Sequence, residues 1–192
     1  MRIARRSFPA PSTFGLMAIF RLMALLGSIS VAASSTAVAH SASDAYLTLT
    51  AEKSSAAGRT IIHGQWDIAL RDLDFALKLD EDGDGRLTWS EVRHHQSAID
   101  QYAYRYLKID AGEHNACSIT PSRQMIDEHA DGAYAALFFD AVCAHAPRKI
   151  TLHYALFFAI DPSHRGIFVF KSDSNIATAL LSPDNADINV GL

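Results

Sequence analysis

Between Leu79 and Val92 the chain reads LDEDGDGRLTWSEV, and its acidic residues are spaced as a cation cage would need them. Counted from Asp80, carboxylates stand at positions 1, 3 and 5 (Asp80, Asp82, Asp84), with Gly85 at 6, Arg86 at 7, Leu87 at 8, Thr88 at 9 and Glu91 at 12. This is the D-x-D-x-D-G-x₅-E order of a calcium-binding EF-hand loop. Ca²⁺ takes six to eight oxygens at about 2.3–2.6 Å, which short Asp side chains at alternate positions of a tight turn can supply. Gly85 permits the backbone reversal. Arg86 would contribute only its carbonyl oxygen, so its basic side chain is no obstacle. Thr88 would act directly or through a water, Glu91 would reach back bidentately from the helix that follows, and Leu87 would tie the loop to the core. Mg²⁺ suits the set less well, because it prefers a small octahedral shell rich in water. With one loop and no second to pair with, the expected role is a structural Ca²⁺ site of about 10⁻⁴–10⁻³ M affinity rather than a sensor.

Nine histidines offer other metal chemistry. If a leader is removed after Ala39, His40 becomes the first residue, and its α-amino group and imidazole together form a chelate suited to Cu²⁺ or Ni²⁺. That is the alternative reading: a periplasmic transition-metal binder, with His94, His95, His153 or His164 as further nitrogen donors. His94 and His95 have no histidine four residues on and are expected on a solvated helix face. His153 is expected to point outward from a strand, and His164 to be a polar turn residue. No GxSxG, HExxH or phosphate-cradling glycine loop occurs, and Asp72 and Asp74 are expected only to flank the loop. The expectation is a non-enzyme without a small-molecule substrate.

The loop must be held by elements that the hydropathy pattern outlines. DAYLTLTAEK alternates Leu47 and Leu49 against Thr48 and Thr50, as a half-buried strand does. RTIIHGQWDIAL, GAYAALFFDAVC, KITLHYALFF and GIFVFKS read as further strands, and NIATALL and DINV as two short ones. Before the loop, RDLDFALKL fits either a short helix or a strand end. After it, Val92, Ile99, Ala103, Tyr106 and Leu107 recur at helical steps, predicting one amphipathic helix over 90–108. The predicted fold is mostly β (α+β): an antiparallel, sandwich-like domain with an inserted EF-hand unit at about 70–107.

The first 39 residues carry Arg2, Arg5, Arg6 and Arg21 but no acid, then an apolar run ending in Ala37-Val38-Ala39. That is the layout of a secretory signal peptide, which places residues 40–192 as one periplasmic or secreted domain. The remaining thirteen Lys and Arg against twenty-one Asp and Glu amount to a formal charge of −8, which argues against nucleic acid as a partner. Cys117 and Cys143 are the only cysteines, and in an oxidising compartment they are expected to pair.

Four segments carry a resemblance: SDAYLTL, GQWDIALRDLDFALKLDEDGDGRLTWSEV, HADGAYAALFFDAVC and YALFFAIDPSHRGIF. Together they resemble the N-terminal extracytoplasmic region of HupE/UreJ-type bacterial membrane proteins of the second subgroup. Members of that family usually continue into a multi-helix membrane portion thought to move nickel, cobalt or a related cofactor. The resemblance implies an accessory periplasmic domain or split subunit with a membrane transport partner.

Overall fold

The computed structural model describes residues 43–52, 58–112, 115–144 and 147–192. The leader over 1–39 and the His40 chelate lie outside the described residues.

Alternation drives the first strand. Ala45, Leu47, Leu49 and Ala51 of β1 (Asp44–Ala51) are buried, and their neighbours turn away. On one side β1 pairs antiparallel with β2 (Thr60–Ala69), setting Leu47 against Trp66; on the other it pairs parallel with β7 (Arg165–Lys171), setting Leu47 against Phe168. With β4 (Ser118–His129), β5 (Gly132–Cys143) and β8 (Ile176–Leu181) these strands form a six-stranded sheet ordered β4-β5-β2-β1-β7-β8. A second sheet, ordered β3-β6-β9, joins β3 (Leu107–Asp110), β6 (Lys149–Tyr154) and β9 (Asp187–Gly191). The domain is therefore mostly β with two sheets in an open, sandwich-like arrangement, as expected, except that the β1–β7 pair makes the large sheet mixed rather than wholly antiparallel.

Large rings fill the core. Trp66, Phe139, Tyr154, Phe168 and Phe170 are fully buried, with Trp66 and Tyr154 ring centroids 5.6 Å apart. Gly64 of β2 makes room for one of them, since a Cβ there would stand 2.1 Å from Phe139 Cζ. Cys117 and Cys143 form a disulfide across the open end of the β4–β5 hairpin. In the chain-entropy view a loop of this size stabilises the fold by about 3.5 kcal/mol. Among the described residues no helix is long and apolar enough to cross a membrane.

Three helices fill the connection from β2 in the large sheet to β3 in the small one: α1 (Leu70–Leu77), α2 (Trp89–His94) and α3 (Gln96–Arg105). The element before the loop is thus a helix. The single helix expected over 90–108 is instead two, broken at His95 (φ −90°, ψ 6°), and Leu107 and Lys108 belong to β3. Ile99 and Ala103 bury the inner face of α3, while Tyr104 sets its ring against Trp66 and Phe139 at 6.4 and 5.5 Å. The strand expected to continue through LHYALFF stops at Tyr154, where the chain turns through Phe157 in the left-handed region (φ 60°). β4 was not foreshadowed by the hydropathy pattern: it is an edge strand, exposed along most of its length, with Pro121 at a register shift. Proline is tolerated there because an edge strand has a side that needs no ladder partner.

Candidate metal centre

The helix that enters the loop forms because Leu70 and Leu73 bury one face while Arg71, Asp72 and Asp74 occupy the other. It ends at Lys78, whose left-handed conformation (φ 59°, ψ 62°) lets its N–H bond back to Asp74 O at 2.8 Å. The chain would be left with free amides at this reversal, and the Asp74 side chain takes them. Its Oδ1 accepts the N–H groups of Leu79 (2.8 Å) and Asp80 (3.0 Å). Leu79 is fully buried, Leu87 packs partly against the core and Val92 is buried at the exit, so the loop is pinned at both ends and once between.

Inside the loop the carboxylates organise their own backbone. Asp80 Oδ1 accepts Gly83 N–H and its Oδ2 accepts Gly85 N–H, both at 2.8 Å. Asp82 Oδ1 accepts Asp84 N–H at 3.1 Å, and Asp84 Oδ1 accepts Arg86 N–H at 2.8 Å. Gly83 (φ 71°) and Gly85 (φ 78°) both lie in the left-handed region, with open space where a Cβ would be. The requirement for glycine is conformational rather than steric.

Thr88 and Glu91 form a capping box at the start of α2. Thr88 donates its N–H (2.8 Å) and hydroxyl (2.7 Å) to Glu91 Oε2, and Glu91 N–H donates to Thr88 Oγ1 at 3.3 Å. Across the loop, Glu81 N–H donates to Glu91 Oε1 at 3.0 Å, closing position 2 onto position 12. These bonds, that from the Thr88 hydroxyl foremost, hold the Glu91 carboxyl below its usual pKa. Asp80, Asp82 and Glu91 each present an oxygen within 4.8 Å of the others. Asp84 stands outside this group, turned to Arg86 N–H, and Arg86 itself is exposed.

The histidines are placed less as expected. His94 is exposed, as expected, and His95 partly so, but the pair shares one carboxylate: His94 Nδ1 lies 2.6 Å and His95 Nε2 3.0 Å from Glu81 Oε1. His153 does point away from the core, but between two carboxylates, Asp110 at 2.8 Å and Asp187 at 2.7 Å. His164 is no polar turn residue: it is fully buried. It links Ser43 Oγ (Nδ1, 2.7 Å) to Tyr154 Oη (Nε2, 2.7 Å), and Ser43 donates onward to Asp72 at 2.9 Å. A further group, Asp67, Asp127 and His129, has its ligand atoms within 4.8 Å. There His129 stacks on Tyr134 at 4.1 Å and burial raises the Asp67 pKa, which suits strand packing.

The chain matches no protein-family model and no curated protein.

Proposed function

We propose that this chain is an extracytoplasmic calcium-binding module whose one EF-hand-type loop holds Ca²⁺ as a structural ion. The observation that carries this reading is the convergence of Asp80 and Asp82 from the start of the loop with Glu91 from its end, within 4.8 Å. Oxygens bound at 2.3–2.6 Å to a common ion are at most about 5.2 Å apart, so this spacing supports a shared cation. Asp84, turning from Arg86 N–H, would complete the shell with the Arg86 carbonyl and Thr88. Glu91, with its lowered pKa, is ionised and ready to bind at neutral pH.

The surroundings support a structural ion. The loop lies within the connection from β2 of one sheet to β3 of the other and is pinned by buried Leu79 and Val92, so Ca²⁺ there would brace the crossover. The leader and the Cys117–Cys143 disulfide support export. The HupE/UreJ-like segments support service to a membrane metal-uptake system, with no catalytic role of its own.

Calcium titration of the metal-free protein, followed by heat and by Trp89 fluorescence, tests the site. Trp89 opens α2 directly after Thr88 and is half exposed, so it reports on the loop. One-site binding lost in Asp80→Ala, with raised thermal stability in the wild type alone, is expected. Silence up to about 10 mM Ca²⁺, beyond the weak extracellular class, overturns the proposal.

A further inference from the structure

Glu81 occupies position 2 of the loop, where the side chain turns away from the Asp80–Asp82–Glu91 group. Its backbone N–H serves Glu91, while its carboxylate meets two imidazoles on the far side. Adjacent residues on a continuous helix point about 100° apart and would not share a partner. Here the helix breaks: His94 ends α2, and His95 is the junction to α3. The break brings the two rings to a centroid separation of 5.4 Å and aims both at Glu81.

We propose that Glu81, His94 and His95 form a second cation site, for a divalent transition metal of the Zn²⁺ type, beside the calcium loop. The three ligand atoms lie within 4.8 Å of one another. Two imidazole nitrogens and a carboxylate oxygen are a recognised zinc donor set, and they leave a fourth position for water or a partner's ligand. Donors on a tetrahedral Zn²⁺ stand about 3.3 Å apart, given bond lengths near 2.0–2.2 Å. The observed 2.6 and 3.0 Å separations from Glu81 Oε1 need to open by less than about 1 Å.

A surface ion pair does not account for the arrangement as well. His95 Nε2 is closed off from solvent and makes no aligned hydrogen bond, although Glu81 Oε1 is 3.0 Å away. A buried ring nitrogen held only by a poorly aligned carboxylate is one that a bound metal would satisfy better. Nitrogen donors also separate the two sites chemically, since Ca²⁺ favours oxygens and the imidazoles select a softer ion. The site needs no Ca²⁺ in the neighbouring loop and stands apart from that reading.

The test is Zn²⁺ titration by calorimetry into Ca²⁺-saturated protein expressed from the 192-residue sequence. Wild type is compared with His94→Ala, His95→Ala and Asp80→Ala, and Co²⁺ absorption spectra report nitrogen ligation. His94 is largely exposed, so its variant should keep the fold, which circular dichroism checks. The expected result is a site weakened at least tenfold by either histidine change and within threefold of wild type in Asp80→Ala. Zn²⁺ binding that ignores both histidine variants, or that vanishes with Asp80→Ala, overturns the proposal. So does the absence of Zn²⁺ binding. Absence of Ca²⁺ binding in the wild type with Zn²⁺ binding intact would count against the calcium loop alone.

Discussion

Asp74 Oδ1 accepts the Asp80 backbone N–H at 3.0 Å, so the last turn of the entering helix holds the first residue of the acidic loop directly. The same oxygen takes Leu79 N–H at 2.8 Å. A carboxylate outside the twelve loop positions thereby sets where Asp80 begins. Asp74→Ala is expected to lower stability by about 1–3 kcal/mol, because two amides lose their acceptor. It should also weaken Ca²⁺ binding although Asp74 is no ligand. Urea unfolding with and without Ca²⁺ separates the two effects, and unchanged midpoints would show that the link is idle.

In the proposed site Glu91 would serve two purposes, helix cap and Ca²⁺ ligand, that a single atom exchange can pull apart. Glu91→Gln keeps the capping box, as glutamine fills that position well, while its single acceptor oxygen leaves the exposed Glu81 N–H to water. Metal-free stability should change by less than about 1 kcal/mol. Ca²⁺ affinity should fall more than tenfold, because the charged bidentate ligand is gone. Calorimetry on the variant decides; retained affinity would mean the ion is held without position 12.

Gly64 is required by space. A methyl group there would overlap the ring of Phe139, 2.1 Å from its Cζ, inside the sheet that carries the core. Gly64→Ala should cost about 3 kcal/mol or more, the upper range for overpacking. Pairing it with Phe139→Leu should lose less than the sum of the two single changes, since they share one contact. Additive losses would remove the steric explanation.

His164 makes stability depend on acid. Ser43 donates its proton to Asp72, so its Oγ must accept from His164 Nδ1–H, leaving Nε2 to accept from Tyr154. Burial lowers the His164 pKa to about 4; Asp161 opposes the shift and Arg165 adds to it. The unfolded imidazole titrates near 6.5, so between these values the unfolded chain binds more protons. This contribution is complete above about pH 6.5, falls as the pH drops through the window, and levels off near pH 4. The amount is about 3 kcal/mol. Denaturation from pH 7 to 4 should show a slope that His164→Gln flattens; an equal slope in the variant would assign it to other groups.

Much of the architecture could be read from local pattern. β1 shows in the alternation of Leu47 and Leu49, and β5 and β7 in runs of aromatic and β-branched residues. β4 could not be read this way, because it is exposed along most of its length, with Ile119 and Ile126 packed only partly against the core and Met125 half exposed. The break at His95 was equally hidden, since helical periodicity carries across a one-residue interruption almost unchanged.

The acidic loop is the part that the amino-acid order determines by itself. Its carboxylates lie within twelve residues, and chain geometry over so short a span leaves few ways to arrange them. The two cysteines were also expected to pair, and Cys117 and Cys143 do so. Only the tertiary structure decided the histidines. Glu81 meets His94 and His95 because a helix breaks, and His164 meets Ser43 across 121 positions because β1 and β7 pair in parallel. Contacts over such distances depend on how the sheet closes, and no local spacing encodes that.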